Sequence, residues 1–256
     1  MGMTRAPAGS VWRLIGPERL DVFTALALDE VLLEDVAAGG PPTIRLWQWS
    51  HSAATVGRFQ SIDYELDLRA CRVKGVDVSR RMSGGGAMYH GEDAELVYSV
   101  TCPEVMMKGG IRYAYWETCG RIIDALEGLR LEARLEDTNV IMVGDYKVSG
   151  NAQRRARGVL QQHGTVVHRS DDDTMDRFLR ARWRPPSSRG IPSRWYPVKG
   201  LEGLCGCSFE AMLLAVREAL LEGRHHEEGT WGGDDLETAT GLVSSRYRAR
   251  EWVMGR

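Results

Sequence analysis

Lysine is almost missing. Of the 33 basic residues only four are lysines: Lys74, Lys108, Lys147 and Lys199. Arginine is planar and stays charged, whereas lysine is a compact ammonium that can release its proton. A lysine kept inside a motif therefore points to a need for that ammonium. Long apolar runs are missing too. No stretch of about 18 apolar residues occurs, which excludes a membrane-spanning helix. The opening MGMTRAPAGS has a single Arg and no apolar stretch, so it does not read as a secretion signal. Cysteine is sparse and odd in number: Cys71, Cys102, Cys119, Cys205 and Cys207. Only the last two are close, and C-x-C without a second pair is a poor metal signal. Free thiols in a reducing, cytoplasmic compartment are expected, and no metal site. A net charge of −2 lacks the basic excess of a nucleic-acid binder.

What is present suits one large core, since 43% of the 256 residues are hydrophobic. Residues 21–36, DVFTALALDEVLLEDV, are apolar almost all round and suit a buried helix, with Asp29 and Glu30 pairing to neighbouring loops. TIRLWQW (43–49), ELVYSVT (95–101) and GVLQQHGTVVH (158–168) read as strands. NVIMVGDYKVSG (139–150) reads as two strands around a Gly144-Asp145 turn. Residues 113–129 and 209–221 carry helical spacing, and Ser208 caps the second helix. Short helices are expected at 174–182 and 236–252, and EGRHHEEGTWGGDD (222–235) reads as a mobile connection. With no βαβ rhythm the fold class is α+β: a mixed, largely antiparallel sheet flanked by helices.

Three stretches carry chemistry. RRMSGGGAMYH (80–90) strips side chains from a backbone flanked by Arg80 and Arg81, which suits an anion or a closely packed ligand. It is neither a P-loop nor a dinucleotide fingerprint. KVSGNAQRR (147–155) places a scarce lysine beside small residues. LQQHGTVV (160–167) sets His163 next to a glycine inside a strand, where something packs closely. Adjacent HHEE (225–228) reads as solvated, not as a metal site.

In this order and spacing the three stretches resemble the lipoate–protein ligase family, within the wider group of biotin and lipoate ligases and octanoyltransferases. ALALDEVLL, RLWQWSHSAATVGRFQ and SSRGIPSR extend the likeness over roughly residues 20–220. The resemblance implies a fold like class II synthetases and biotin ligases. It implies a catalytic domain over 1–222, with 223–256 a short C-terminal extension, too small for the accessory domain many such ligases carry. It further implies activation of lipoate with ATP and Mg²⁺ to lipoyl-AMP, then transfer to a lysine of a lipoyl-domain protein of the glycine cleavage H type or the 2-oxoacid dehydrogenase E2 type. A separate accessory ligase subunit could assist. By motif match, Lys147 is the catalytic residue. Arg81, Gly86, Ala87, Met88, Tyr89, Asn139 and Lys147 contact ATP. Arg80, Gly84, Gly85, Gly86, Lys147, Ala152 and His163 contact lipoate. Val140 departs from the pattern, standing where the family commonly has Asp.

The alternative is the octanoyltransferase branch, which moves octanoyl from acyl carrier protein through a cysteine nucleophile. One type holds that cysteine before the lysine hairpin, and Leu131 to Val143 contains none. Another holds it after the His-Gly strand, where RGIPSRWYPVKG contains none. Last, Arg177, Arg180, Arg182, Arg184, Arg189 and Arg194 form a basic run that could steer an acidic acceptor.

Overall fold

The computed structural model describes residues 10–107, 109–170, 172–183 and 190–255. In chain order β1 (Trp12–Leu20) leads into α1 (Val22–Ala37), β2 (Thr43–Trp49) and β3 (Ala53–Val56). Helices α2 (Ile62–Glu65) and α3 (Leu68–Lys74) precede β4 (Asp77–Arg80) and β5 (Met88–His90). Then come β6 (Glu95–Pro103), α4 (Gly110–Gly128), β7 (Ala133–Glu136), β8 (Val140–Val143), β9 (Tyr146–Ala156) and β10 (Val159–Val167). After α5 (Asp172–Phe178), α6 (Leu201–Cys205) and α7 (Phe209–Leu221), the chain adds β11 (His226–Gly229), α8 (Gly233–Leu242) and α9 (Arg250–Met254).

Eight strands form one sheet in the order β11-β1-β2-β6-β10-β9-β8-β7. β1 runs parallel to β2 and β11, and the other pairs are antiparallel. The α+β expectation holds. On one face Ile44, Leu46, Tyr98 and Val100 pack against Cys119, Ile122 and Leu126 of α4 and Met212, Val216 and Leu220 of α7. The other face lies under α1, itself covered by the C-terminal helices. Covered on both sides, β6 and β10 lose the apolar–polar alternation of a half-exposed strand.

Strand register sets two rows on the α1 face. Trp47, Val97, Thr165 and Gly150 form one; Arg45, Ser99, His163 and Ala152 form the next. Asp21 caps α1, accepting from the Phe23 and Thr24 amides. Asp29 reaches Arg45 at 3.1 Å and His163 at 3.0 Å. Glu30 binds Arg246 and, at 2.8 Å, the Tyr247 hydroxyl. Both acids thus pair as expected, but with side chains of β2, β10 and the C-terminal segment.

A second sheet, β4-β3-β5, stands over this face. Its β4–β5 connection is the glycine-rich loop, so the small sheet aims that loop at the large one. Two expectations fail here. Residues 222–235 are not merely a connection: His226–Gly229 pairs in parallel with Trp12–Ile15 as an edge strand. HEEG has no alternation to announce it, because the pairing is made by backbone. The helix expected at 236–252 is broken into α8, a π-turn at Val243–Tyr247, and α9. Strand β1 was not legible either. Pro17 interrupts it, and the ladder absorbs the break as a register shift between Ile15 and Glu18.

Candidate functional site

Two cavities open where the small sheet meets the large one. The inner, of about 220 Å³, is lined by Leu26, Trp47, Trp49 and Val97 together with Gly85, Gly86 and Ala152. The outer, of about 590 Å³, is walled by Tyr89, Glu95, Arg169, Arg182 and Trp195. They share Ala87, Met88, Lys147, Ser193, Arg194 and Tyr196, which form a neck between them.

Lys147 stands at that neck. β9 shifts register against β8 between Ile141 and Met142, which re-aims the lysine. Its amide donates to the Pro197 carbonyl at 2.8 Å and its own carbonyl accepts from Lys199, so the 197–199 segment is pinned beside it. The ammonium lies over Gly150, where an added Cβ would fall 2.7 Å from Nζ, and 6.0 Å from the centre of the Tyr196 ring. Burial pulls the Lys147 pKa down to about 8; Glu95 opposes this shift and Arg81 adds to it.

The glycine run lies on the backbone of Gly57, where a Cβ would sit 2.2 Å from the Gly85 carbonyl oxygen. Arg81 is curled onto its own loop. It donates to Thr55 Oγ1 at 2.7 Å and to the carbonyls of Gly84 and Gly86 at 3.0 and 2.9 Å. Burial lowers its pKa to about 10. The Ala87 amide donates to Ser193 Oγ at 2.7 Å. These donors, expected to clasp a phosphate, are already engaged within the protein.

Two histidines tie the loop to the sheet. A carboxylate only accepts, so each must carry its proton on Nδ1. His163 Nδ1–H donates to Asp29, while its Nε2 shares a hydrogen bond with the Ser83 hydroxyl at 2.7 Å. His90 Nδ1–H donates to Glu95 at 2.5 Å, while its Nε2 shares a hydrogen bond with Thr55 Oγ1 at 2.9 Å; Trp49 Nε1 also donates to Glu95, at 2.6 Å. The sequence reading missed Thr55, Glu95, Ser193 and Tyr196, and left His90 without a role although it closes the glycine motif.

The structure brings Arg81, Gly85, Gly86, Ala87, Met88, Asn139, Lys147, Ala152 and His163 to the inner cavity. The structure places three other expected residues outside the inner cavity. Arg80 is fully buried and donates to the carbonyls of Gly57, Gln60, Trp252 and Val253, away from the cavity. Gly84 lines neither cavity; it gives its carbonyl to Arg81. Tyr89 belongs to the outer cavity, stacked on Phe178 at 5.0 Å. Asn139 and Asn151 exchange side-chain amide bonds with each other's backbone carbonyls, clasping β8 to β9. In the basic run, Arg180, Arg182 and Arg194 pair with Asp67, Asp176 and Asp137. Arg184, Arg189 and part of SSRGIPSR lie outside the described residues. Among the described residues no helix is long and apolar enough to cross a membrane.

Comparison with known proteins bears on this geometry. An octanoyltransferase LipM from Moorella thermoacetica is 32% identical over 96% of this chain and 98% of its own length. One from Symbiobacterium thermophilum is 31% identical over 95% and 98%. Among solved structures, a lipoate-protein ligase A bound with ATP superposes with a TM-score of 0.81 at 24% identity, covering 96% of this chain and 99% of that one. A bi-partite lipoate protein ligase from Thermoplasma acidophilum gives 0.79 at 22%, covering 96% of each. At such identities these two structures speak for the fold. The expectation of ATP-dependent lipoate ligation is overturned by the first pair: relatives matched almost end to end are octanoyltransferases. The lipoyl protein ligase A/B catalytic domain model spans residues 21–223, from the cap of α1 to just past α7. With every residue that lines the two cavities inside that span, the chain belongs to the lipoyl protein ligase A/B catalytic-domain family.

Proposed function

We propose that this chain transfers an octanoyl group from the thioester of an acyl carrier protein to a lysine of a lipoyl-domain protein. The likeness to octanoyltransferases over nearly the whole chain carries this reading. The cavities support it. An octanoyl tail is apolar and unbranched, and the inner cavity offers it Leu26, Trp47 and Val97, while Asp137, also in its lining, is bound by Arg194 and Tyr196. Its carbonyl then lies at the neck beside Lys147. The outer cavity is where the donor's thioester arm and the acceptor's lysine arrive.

Each group has a task in that arrangement. The loop held by Arg81 and Ser193 shapes the neck, so the carbonyl is oriented before reaction. The Glu95–His90–Thr55 chain fixes Arg81 in turn. Lys147 is the group at the neck able to exchange a proton near neutral pH. Octanoyl-loaded acyl carrier protein, mixed with this chain and an unmodified H-type or E2-type lipoyl domain, should yield one octanoyl amide by intact mass without ATP. Free octanoate or lipoate with ATP should yield none. Modification only in the ATP vessel would sink the reading.

A further inference from the structure

Outside both cavities, one pair of nucleophilic side chains has no task yet. Cys205 ends α6, and Cys207 precedes Ser208, the cap of α7. Between them Gly206 takes φ +71°, a left-handed turn that glycine enters without steric cost. Its amide donates to the Glu202 carbonyl at 2.9 Å, which holds the turn closed. Cys205 is exposed and donates its thiol proton to the Leu201 carbonyl at 3.4 Å. Cys207 is half-buried against the core. Burial pushes its thiol up to about 11, and a hydrogen bond with the Cys205 sulfur adds to the rise. The other three cysteines are buried, with pKa raised to about 12 for Cys102 and Cys119 and about 11 for Cys71. Thiolate is scarce there and access is closed. A thiol reagent in solution therefore meets Cys205, with a second thiol beside it.

The turn is joined to the wall of the outer cavity. His168 Nε2–H donates to the Cys207 carbonyl at 3.0 Å, and the Glu202 amide donates to the His168 carbonyl at 3.0 Å. His168 stands between Val167 and Arg169, which both line that cavity. Just ahead of α6, the Gly200 amide donates to Ser170 Oγ at 3.0 Å, and Ser170 lines the cavity as well. Val198 bridges to Lys147, whose backbone bonds Pro197 and Lys199. Helix α6 thus anchors the segment that runs beside Lys147.

We propose that Cys205 and Cys207 form a redox-active dithiol, closed to a disulfide by small-molecule disulfides, and that closure loosens the 197–201 segment beside Lys147. The Cys205 thiolate attacks one sulfur of the small disulfide. A bond to Cys205 Sγ forms, the small S–S bond breaks, and one thiolate leaves. The Cys207 thiolate then attacks Cys205 Sγ, the Cys205–Cys207 bond forms, and the second thiolate leaves. The two cysteine protons end on the two departing thiols, so the chain loses two electrons and the small disulfide gains them. Thiolate is scarce at Cys207, but attack within one turn has proximity in its favour. Once oxidised, Cys205 has no proton to give Leu201, and the short α6 loses that bond. The dithiol acts whatever group the neck transfers.

The test incubates the reduced full chain with oxidised glutathione at pH 8 and reads intact mass and peptide fragmentation. We expect the loss of two hydrogen atoms, mapped to a Cys205–Cys207 bond, and reversal by dithiothreitol. In Cys207→Ser the reaction should halt at one glutathione on Cys205. In Cys205→Ser nothing should add. On oxidation, amide hydrogen exchange of residues 198–203 should rise at least about threefold in the wild-type chain and stay level in Cys205→Ser treated alike. A wild-type chain that stays reduced, or that keeps a glutathione adduct without closing the ring, overturns the dithiol. Ring closure with unchanged exchange over 198–203 overturns its coupling to the segment beside Lys147.

Discussion

Lys147 and Arg80 show how little a residue's type alone decides. Lys147 was singled out by scarcity and motif, and it stands at the neck. Facing it are Arg81 from the glycine loop, Glu95 from β6, His90 from β5, and Tyr196 with Arg194 and Asp137 at the mouth. With its pKa near 8, neutral amine dominates above that pH. If the neutral form takes the acceptor's proton, kcat/KM for acceptor rises as pH climbs through about 8. Lys147→Arg, which cannot deprotonate, should lose roughly 10²- to 10⁴-fold while melting normally. A rate that falls through pH 8, or an active Arg variant, would show that only the charge is used. Arg80, its neighbour in the motif, makes the opposite prediction. Arg80→Met strands buried carbonyls of Gly57, Gln60 and Val253 and should cost about 3 kcal/mol in denaturant melts, with acyl-chain preference unchanged.

At the scale of elements, the glycine loop and the hairpin of β8 and β9 confront each other across the neck. Two glycines there predict different losses. A Cβ at Gly57 would meet the Gly85 carbonyl oxygen at 2.2 Å, and backbone cannot step aside. Gly57→Ala should therefore displace the loop, lowering stability by about 2 kcal/mol along with activity. A Cβ at Gly150 would meet the end of the Lys147 side chain at 2.7 Å, which can swing away. Gly150→Ala should leave the melting midpoint nearly unchanged while transfer falls at least tenfold; equal damage from both changes would contradict this. The hairpin turn at Gly144-Asp145 was legible, since Gly144 takes φ +55° as such a turn demands. The small sheet was not. Strands β3, β4 and β5 have four, four and three residues, too short to carry a period.

Over the whole molecule, the segment after α7 closes on the rest. β11 extends the large sheet beside β1, Tyr247 binds Glu30 of α1, and the Trp252 and Val253 carbonyls receive Arg80. Tyr247 is 1% exposed and Ala239 2%. We propose that residues 223–256 fold with the catalytic unit as one body. A chain ending at residue 230 would leave Glu30 and Arg80 without these partners. It should lose at least about 3 kcal/mol of stability, with one cooperative transition in the full chain. Two separate calorimetric transitions in the full chain would argue against a single body.

Sequence by itself determined the family, the α+β class, the long helices and the motifs that bring Arg81, Lys147 and His163 to the inner cavity. Those signals are local: helical and strand periods, turn glycines, and short motifs whose spacing survives without the fold. Tertiary structure alone decided which of two adjacent arginines faces the cavity, because consecutive residues leave an extended chain in opposite directions. It alone joined Glu95, His90, Thr55 and Arg81 into one chain of hydrogen bonds, since these meet through the pairing of strands far apart in sequence. It also put every cysteine away from the neck. Distance between residues remote along the chain depends on sheet register and helix packing, and no local pattern encodes either.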